Sequence, residues 1–184
     1  MVVGLGNPGA EYAGNRHNIG FQVVEHLAGP GARFKAHKRA RALTWEGRVD
    51  GERAVLVKPT TYMNDAGQGV APLCSFYKVA PDRVVAIHDE LDLPFASLRL
   101  KYGGGDNGHN GLRSLRRSLA TGDFFRARVG IGRPPGRMDP SAFVLRNFST
   151  TERAELPELV ERSSDAVAAL LTQGLDRAQS QYNN

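Results

Sequence analysis

Six stretches of the chain run apolar, or alternate apolar with polar, over lengths that suit a β-strand: "MVVGL", "ALTWEGRV", "RAVLVKP", "RVVAIHD", "SLRLKY" and "FRARVGIG". Between them the apolar spacing changes from two to three and four. Ile19, Val23, Val24 and Leu27 share one face of a helix that starts near Asn18, and a second helix follows Asn64. Leu112, Leu115 and Leu119 mark the core side of a third around Asn110. After Thr150 or Thr151, Leu159, Val160, Val167, Leu170 and Leu171 keep helical spacing, which predicts one long final helix with Pro157 tolerable only close to its start. Strands interleaved with helices predict an α/β fold. "GRPPGRMDP" reads as a surface loop, and no repeat or linker divides the chain, so a single domain over 1–184 is expected.

Composition narrows the setting. Hydrophobic residues make up 41% and charged residues 23%, and no apolar stretch approaches the roughly 18 residues a membrane span needs. "MVVGLGNPG" has none of the marks of a secretory signal, so the cytoplasm is the expected location. The single cysteine, Cys74, excludes an internal disulfide framework, and its neighbours in "VAPLCSFY" suit a buried packing role. A formal net charge of +5 favours polyanionic partners. The cations cluster twice: Arg33, Lys35, Lys38, Arg39 and Arg41, then Arg113, Arg116, Arg117, Arg126, Arg128, Arg133 and Arg137.

Chemistry collects at strand ends. "MVVGLGN" delivers Asn7, "AVLVKPTTYMN" delivers Asn64 and "RVVAIHD" delivers Asp89, and in open α/β sheets ligands bind beyond the carboxyl ends of the strands. Any one of these residues could serve merely as a turn former or helix cap, as Asn64 could for the helix after it. "NRHNIG" and "GHNG" add His17, Asn18, His109 and Asn110 at further loop-to-helix junctions. A nucleophile elbow, a P-loop and an HExxH zinc helix are all missing. "HDELD" offers oxygen ligands, but alternate residues of an extended segment point to opposite faces, so no metal site is expected. "GLGNPG" and "GGGDNG" match the dinucleotide glycine spacing, yet no helix opens within the first and no acidic residue ends a second strand at the required distance. What remains is a neutral, amide-rich pocket with a histidine and an aspartate beside arginines. That is equipment for hydrolysis, with asparagines able to engage a peptide without repelling phosphate.

In order along the chain, "VGLGNPG-EY--NRHN-G", "KP-TYMN--G", "HDELDLP-----LK-GGG--GHNGLRS" and "F-R-R-GIGRP" resemble the bacterial peptidyl-tRNA hydrolase family. The resemblance runs from Val3 to about Phe148 and implies a single-domain three-layer α/β/α fold with a twisted mixed central sheet. It implies hydrolysis of the ester joining a peptide to the tRNA 3′ ribose by a cytoplasmic monomer without a cofactor. It further implies that His17 is the base that activates water and that Asp89 orients it. Asn7, Asn64 and Asn110 would hold substrate and water, with His109 in the pocket wall and Met63 and Tyr12 lining it. Lys101 and Arg128 would grip a terminal phosphate, a contact that positions RNA without reading bases. A noncatalytic RNA-binding module of the same fold is the alternative. Three positions depart from the pattern: Met1 stands almost on the first strand where relatives have several more residues, Asn107 replaces a common glycine, and Pro72 falls in a helix that must therefore begin close to it.

Overall fold

The computed structural model describes residues 1–183. Seven strands form one sheet: β1 (Val2–Gly4), β2 (Lys35–Ala36), β3 (Ala42–Val49), β4 (Glu52–Pro59), β5 (Val85–Glu90), β6 (Leu98–Tyr102) and β7 (Phe125–Gly130). Their spatial order is β2-β3-β4-β1-β5-β7-β6. The four central strands β4, β1, β5 and β7 run parallel, flanked by antiparallel β3 and β2 on one side and antiparallel β6 on the other. Six helices accompany them: α1 (Ile19–Ala28), α2 (Ala66–Tyr77), α3 (Asn110–Leu119), α4 (Pro140–Val144), α5 (Thr150–Gln173) and α6 (Leu175–Tyr182).

The layers follow from the period of two in the strands. Val2, Leu56, Val85 and Ile87 point into the cluster that contains Ile19 and Val23 of α1 and Leu159, Val167 and Leu170 of α5. Their neighbours Val3, Val57 and Ala86 point into the opposite cluster, with Val70 and Leu73 of α2 and Leu112 and Leu115 of α3. Each such valine, leucine or isoleucine side chain contributes about 1.5–3 kcal/mol of apolar burial. Cys74 is buried in the second cluster, as a packing residue should be.

The expected long final helix is two helices, because Gly174 at φ 84° leaves the helical region between α5 and α6. Neither proline lies near a helix start: Pro157 is the eighth residue of α5 and Pro72 the seventh of α2. Both, with the residues four positions before them, Arg153 and Gln68, are exposed, so each proline interrupts its helix on the solvent-facing side. Two elements had no signal: β2 is two exposed residues, and α4 is a five-residue helix that opens on the last residue of "GRPPGRMDP", with Asp139 as its N-cap.

Candidate active site

Because β4, β1 and β5 are parallel neighbours, their carboxyl ends stand side by side and bring Asn64, Asn7 and Asp89 around one cavity of about 830 Å3. Helix α1 is pressed directly onto that end of the sheet. A Cβ on Gly20 would lie 2.4 Å from the Ile87 carbonyl oxygen and 2.5 Å from the Leu5 nitrogen, and one on Gly4 would lie 2.3 Å from the Gly20 carbonyl oxygen. Only glycine at both places permits this backbone-on-backbone fit, which sets the segment just before α1 against the strand ends.

That segment divides its labour residue by residue. Asn15 donates to the Asn147 side chain at 2.8 Å, and Arg16 donates to the Asn147 carbonyl at 2.9 Å and pairs with Glu152 at 2.6 Å. Glu152 belongs to the capping box that opens α5, so the loop is tied to the far helix. Asn18 clamps the main chain of Asn7 in both directions, accepting from its N–H and donating to its carbonyl, each at 2.9 Å. The Asn7 side-chain oxygen accepts from the Met63 N–H at 2.7 Å, which leaves the Asn7 amide nitrogen as its free donor.

His17 carries the remaining function. It is 7% exposed and its Nδ1 lies 3.0 Å from both oxygens of Asp89, while Nε2 has no protein partner among the described residues and the ring lines the cavity. His109 takes the same carboxylate from another side, with Nε2 2.9 Å from Asp89 Oδ1. His109 is also the N-cap of α3: its Nδ1 accepts from the N–H groups of Gly111 at 3.1 Å and Leu112 at 3.3 Å. With Nδ1 accepting, the His109 proton is on Nε2 and is donated to Asp89. Asp89 therefore receives two imidazole N–H bonds, and its interactions with His17 and His109 hold its carboxyl well below the usual range despite burial. Burial opposes a charge on His17, but the Asp89 charge and hydrogen bond prevail and raise its pKa above the ordinary value.

The facing donor atoms of His17, Asp89 and His109 lie within 4.8 Å of one another, a spacing at which a cation can be held. With Asp89 charged, the two histidine nitrogens that face the carboxylate are assigned as hydrogen-bond donors to it.

A second cavity of about 350 Å3 opens on the β7 and β6 side, and it contains Lys101 and Arg128 together. Alternation along β5 separates the two spaces: Asp89 faces the first cavity and His88 the second. Arg128 pairs with Glu90 at 3.1 Å. Asn107 has φ 48°, a left-handed conformation that asparagine tolerates better than most residues. Its amide donates to Glu90 at 2.9 Å and to Asp92 at 2.7 Å. Glu90, Asp92 and Asn107 line both cavities, so the residue in the usual glycine position ties the glycine-rich loop to the end of β5 and forms the partition between them. It neither caps α3, a task His109 performs, nor touches Asn110 by a hydrogen bond.

A family model described as peptidyl-tRNA hydrolase matches residues 1–184. The chain belongs to the peptidyl-tRNA hydrolase family. It is 57% identical over 184 residues to the peptidyl-tRNA hydrolase of Frankia alni, covering 100% of this chain and 93% of that one. With the peptidyl-tRNA hydrolase of Mycobacterium tuberculosis the identity is 56% over 184 residues, covering 100% of this chain and 96% of the other. The crystal structure of peptidyl-tRNA hydrolase from Acinetobacter baumannii superposes with a TM-score of 0.90 at 38% identity, covering 99% of this chain and 94% of that chain.

Within this family fold, Asn7, His17, Met63, Asn64, Asp89, His109 and Asn110 all surround the first cavity. Tyr12 does not: it packs edge-on against Tyr62, ring centroids 6.3 Å apart, and Tyr62 is the aromatic on the wall. Asn64 is exposed and makes no cap bond to α2, so the capping role considered for it is not what its side chain does. Sequence reasoning missed Arg126, which is buried and donates to the carbonyls of Gly103, Gly104 and Gly122. That guanidinium shapes the loop from beneath, and only its position two residues before Arg128 on the same strand face hinted at it. The wall supplied by Asp139, Pro140, Val144 and Leu145 was missed as well.

Proposed function

We propose that the chain hydrolyses peptidyl-tRNA at the ester between the peptide and the 3′ ribose, with His17 as general base. The observation that carries this is His17 Nδ1 at 3.0 Å from both Asp89 oxygens: a carboxylate accepts, so the proton is assigned to Nδ1, and Nε2, with no partner among the described residues, is the basic nitrogen. Nε2 removes a proton from water as the water oxygen attacks the ester carbonyl. The imidazolium so formed is stabilised by the Asp89 charge, and the proton passes to the departing ribose oxygen. Asn7, through its free amide donor, together with Asn64 and Asn110, holds the peptide and the developing oxyanion. His109 is a positioning residue that fixes Asp89 from the α3 side. No covalent intermediate is needed.

Lys101 and Arg128 receive the terminal phosphate of the RNA in the smaller cavity, with Met63 and Tyr62 against the peptide end. No helix among the described residues is long and apolar enough to cross a membrane. The reading is completed by a monomeric enzyme working in the cytoplasm without a cofactor. The test is release of free tRNA from N-acetylated aminoacyl-tRNA by the wild type and by His17→Ala. Loss of release in the variant is expected, and unchanged release removes His17 as the base.

A further inference from the structure

The first basic cluster of the sequence has no part in the site above. It lies at the opposite edge of the sheet, where β2, β3 and the last turn of α2 enclose a cleft of about 860 Å3. Arg33, Lys35, Lys38 and Arg39 line it, and among the described residues none of the four forms an ion pair. The one carboxylate in the lining, Glu46, accepts the Tyr77 hydroxyl at 2.7 Å. The floor is aromatic. Phe76 is 48% exposed, flanked edge-on by His37 with centroids 4.7 Å apart and by Tyr77 at 4.9 Å, and the Arg39 guanidinium lies 5.7 Å from its ring centre.

Six strand positions separate this edge from β6, and at roughly 4.8 Å per strand the cleft stands some 24–29 Å from Lys101. No single nucleotide spans that distance, so the cleft serves a different part of a ligand or a different molecule. Unpaired cations alone would suit any polyanion. The half-open ring among them is what selects: aspartate and glutamate side chains bring no ring to lay on it, whereas a nucleobase stacks on an aromatic and leaves its phosphates beside the cations.

We infer that this cleft binds a short single-stranded RNA segment, with a base against Phe76 and phosphates at Lys35, Lys38 and Arg39. Trp45, the only tryptophan of the chain, borders the cleft from the opposite face of β3, where it packs with the α1 and α5 cluster. The experiment therefore titrates the full chain with an unstructured RNA hexamer, with polarisation of the labelled hexamer as the primary readout and Trp45 emission as a secondary one. A saturable response is expected. The combined change Lys35→Ala, Lys38→Ala and Arg39→Ala should weaken binding at least about tenfold and flatten the logarithmic salt slope by about 2. Phe76→Ala should weaken it about tenfold with the slope kept, and should leave the kcat of ester hydrolysis unchanged. Hexamer binding that all four substitutions leave intact in both readouts overturns the proposal. So does an aspartate-rich hexapeptide that binds as tightly as the RNA. Because hydrolysis is measured separately, failure here leaves the catalytic reading standing.

Discussion

Asp89→Asn separates the charge of the buried carboxylate from its geometry. The two imidazole bonds meet on Oδ1, at 3.0 Å from His17 and 2.9 Å from His109, so the amide oxygen can keep both, while the amide nitrogen in the Oδ2 position, 3.0 Å from His17 Nδ1, faces a donor and adds to the loss. What is lost is the negative charge beside the imidazolium that forms during water attack. At 3.0 Å and an effective dielectric constant near 20, that interaction amounts to about 5.5 kcal/mol, or about four decades in rate. Single-turnover hydrolysis of N-acetyl-aminoacyl-tRNA at pH 8 should therefore fall by three decades or more, with little change in substrate affinity. The pH profile adds an independent check. In the wild type the raised His17 pKa means that the neutral base is lost as pH falls through a value above the ordinary 6.5 or so. Without Asp89, burial acts unopposed and moves that midpoint below 6.5, so the rate ratio between wild type and variant narrows in acid. A loss of less than tenfold at pH 8, or an acid midpoint that does not move, would refute the reasoning.

Other substitutions reach other parts of the molecule. Lys101→Ala or Arg128→Ala should raise KM and reduce its salt dependence while kcat changes little, and a defect confined to kcat would count against a phosphate grip. Asn107→Gly removes two amide bonds yet relieves the left-handed backbone, so stability measured by urea unfolding should shift by only about 1 kcal/mol. The freed Glu90 oxygen would then compete with phosphate for Arg128, and KM should rise severalfold; an unchanged KM would exclude this. Burial, aided by the neighbouring His109, lowers the His88 pKa to about 3, so the folded chain refuses a proton that the unfolded chain accepts below about pH 6.5. Folding stability from this group is thus greatest above 6.5 and falls with pH, by about 2 kcal/mol at pH 5. His88→Asn should remove that much of the loss between pH 7.5 and pH 5, and equal slopes for both proteins would sink the assignment.

The strands and the helices α1, α2 and α3 were legible because their buried faces obey periods of two or three to four, and the strand-end asparagines and Asp89 followed from them. Arg126 was not, since nothing in a pattern of polar positions distinguishes an arginine sunk under loop carbonyls from one in water. The Arg16–Glu152 pair joins residues 136 positions apart, a distance at which no local spacing speaks. Tyr12 was misplaced for a related reason: short 3-10 turns between Ala10 and Asn18 decide which of two tyrosines meets the cavity, and such turns carry no period. Asn107 was visible as an irregularity, but its carboxylate partners depend on where the loop returns. The split at Gly174 was overlooked because apolar spacing resumes on its far side.

The contact between Gly4 and Gly20 carries a genetic consequence. Most packing defects can be compensated by trimming a neighbouring side chain, but here the obstacles to a new methyl group are main-chain atoms of Leu5, Gly20 and Ile87 that every sequence possesses. A selection for revertants of Gly20→Ala should therefore return the original glycine and no second-site suppressor in the surrounding shell, which makes this pair a point where the lineage has no detour.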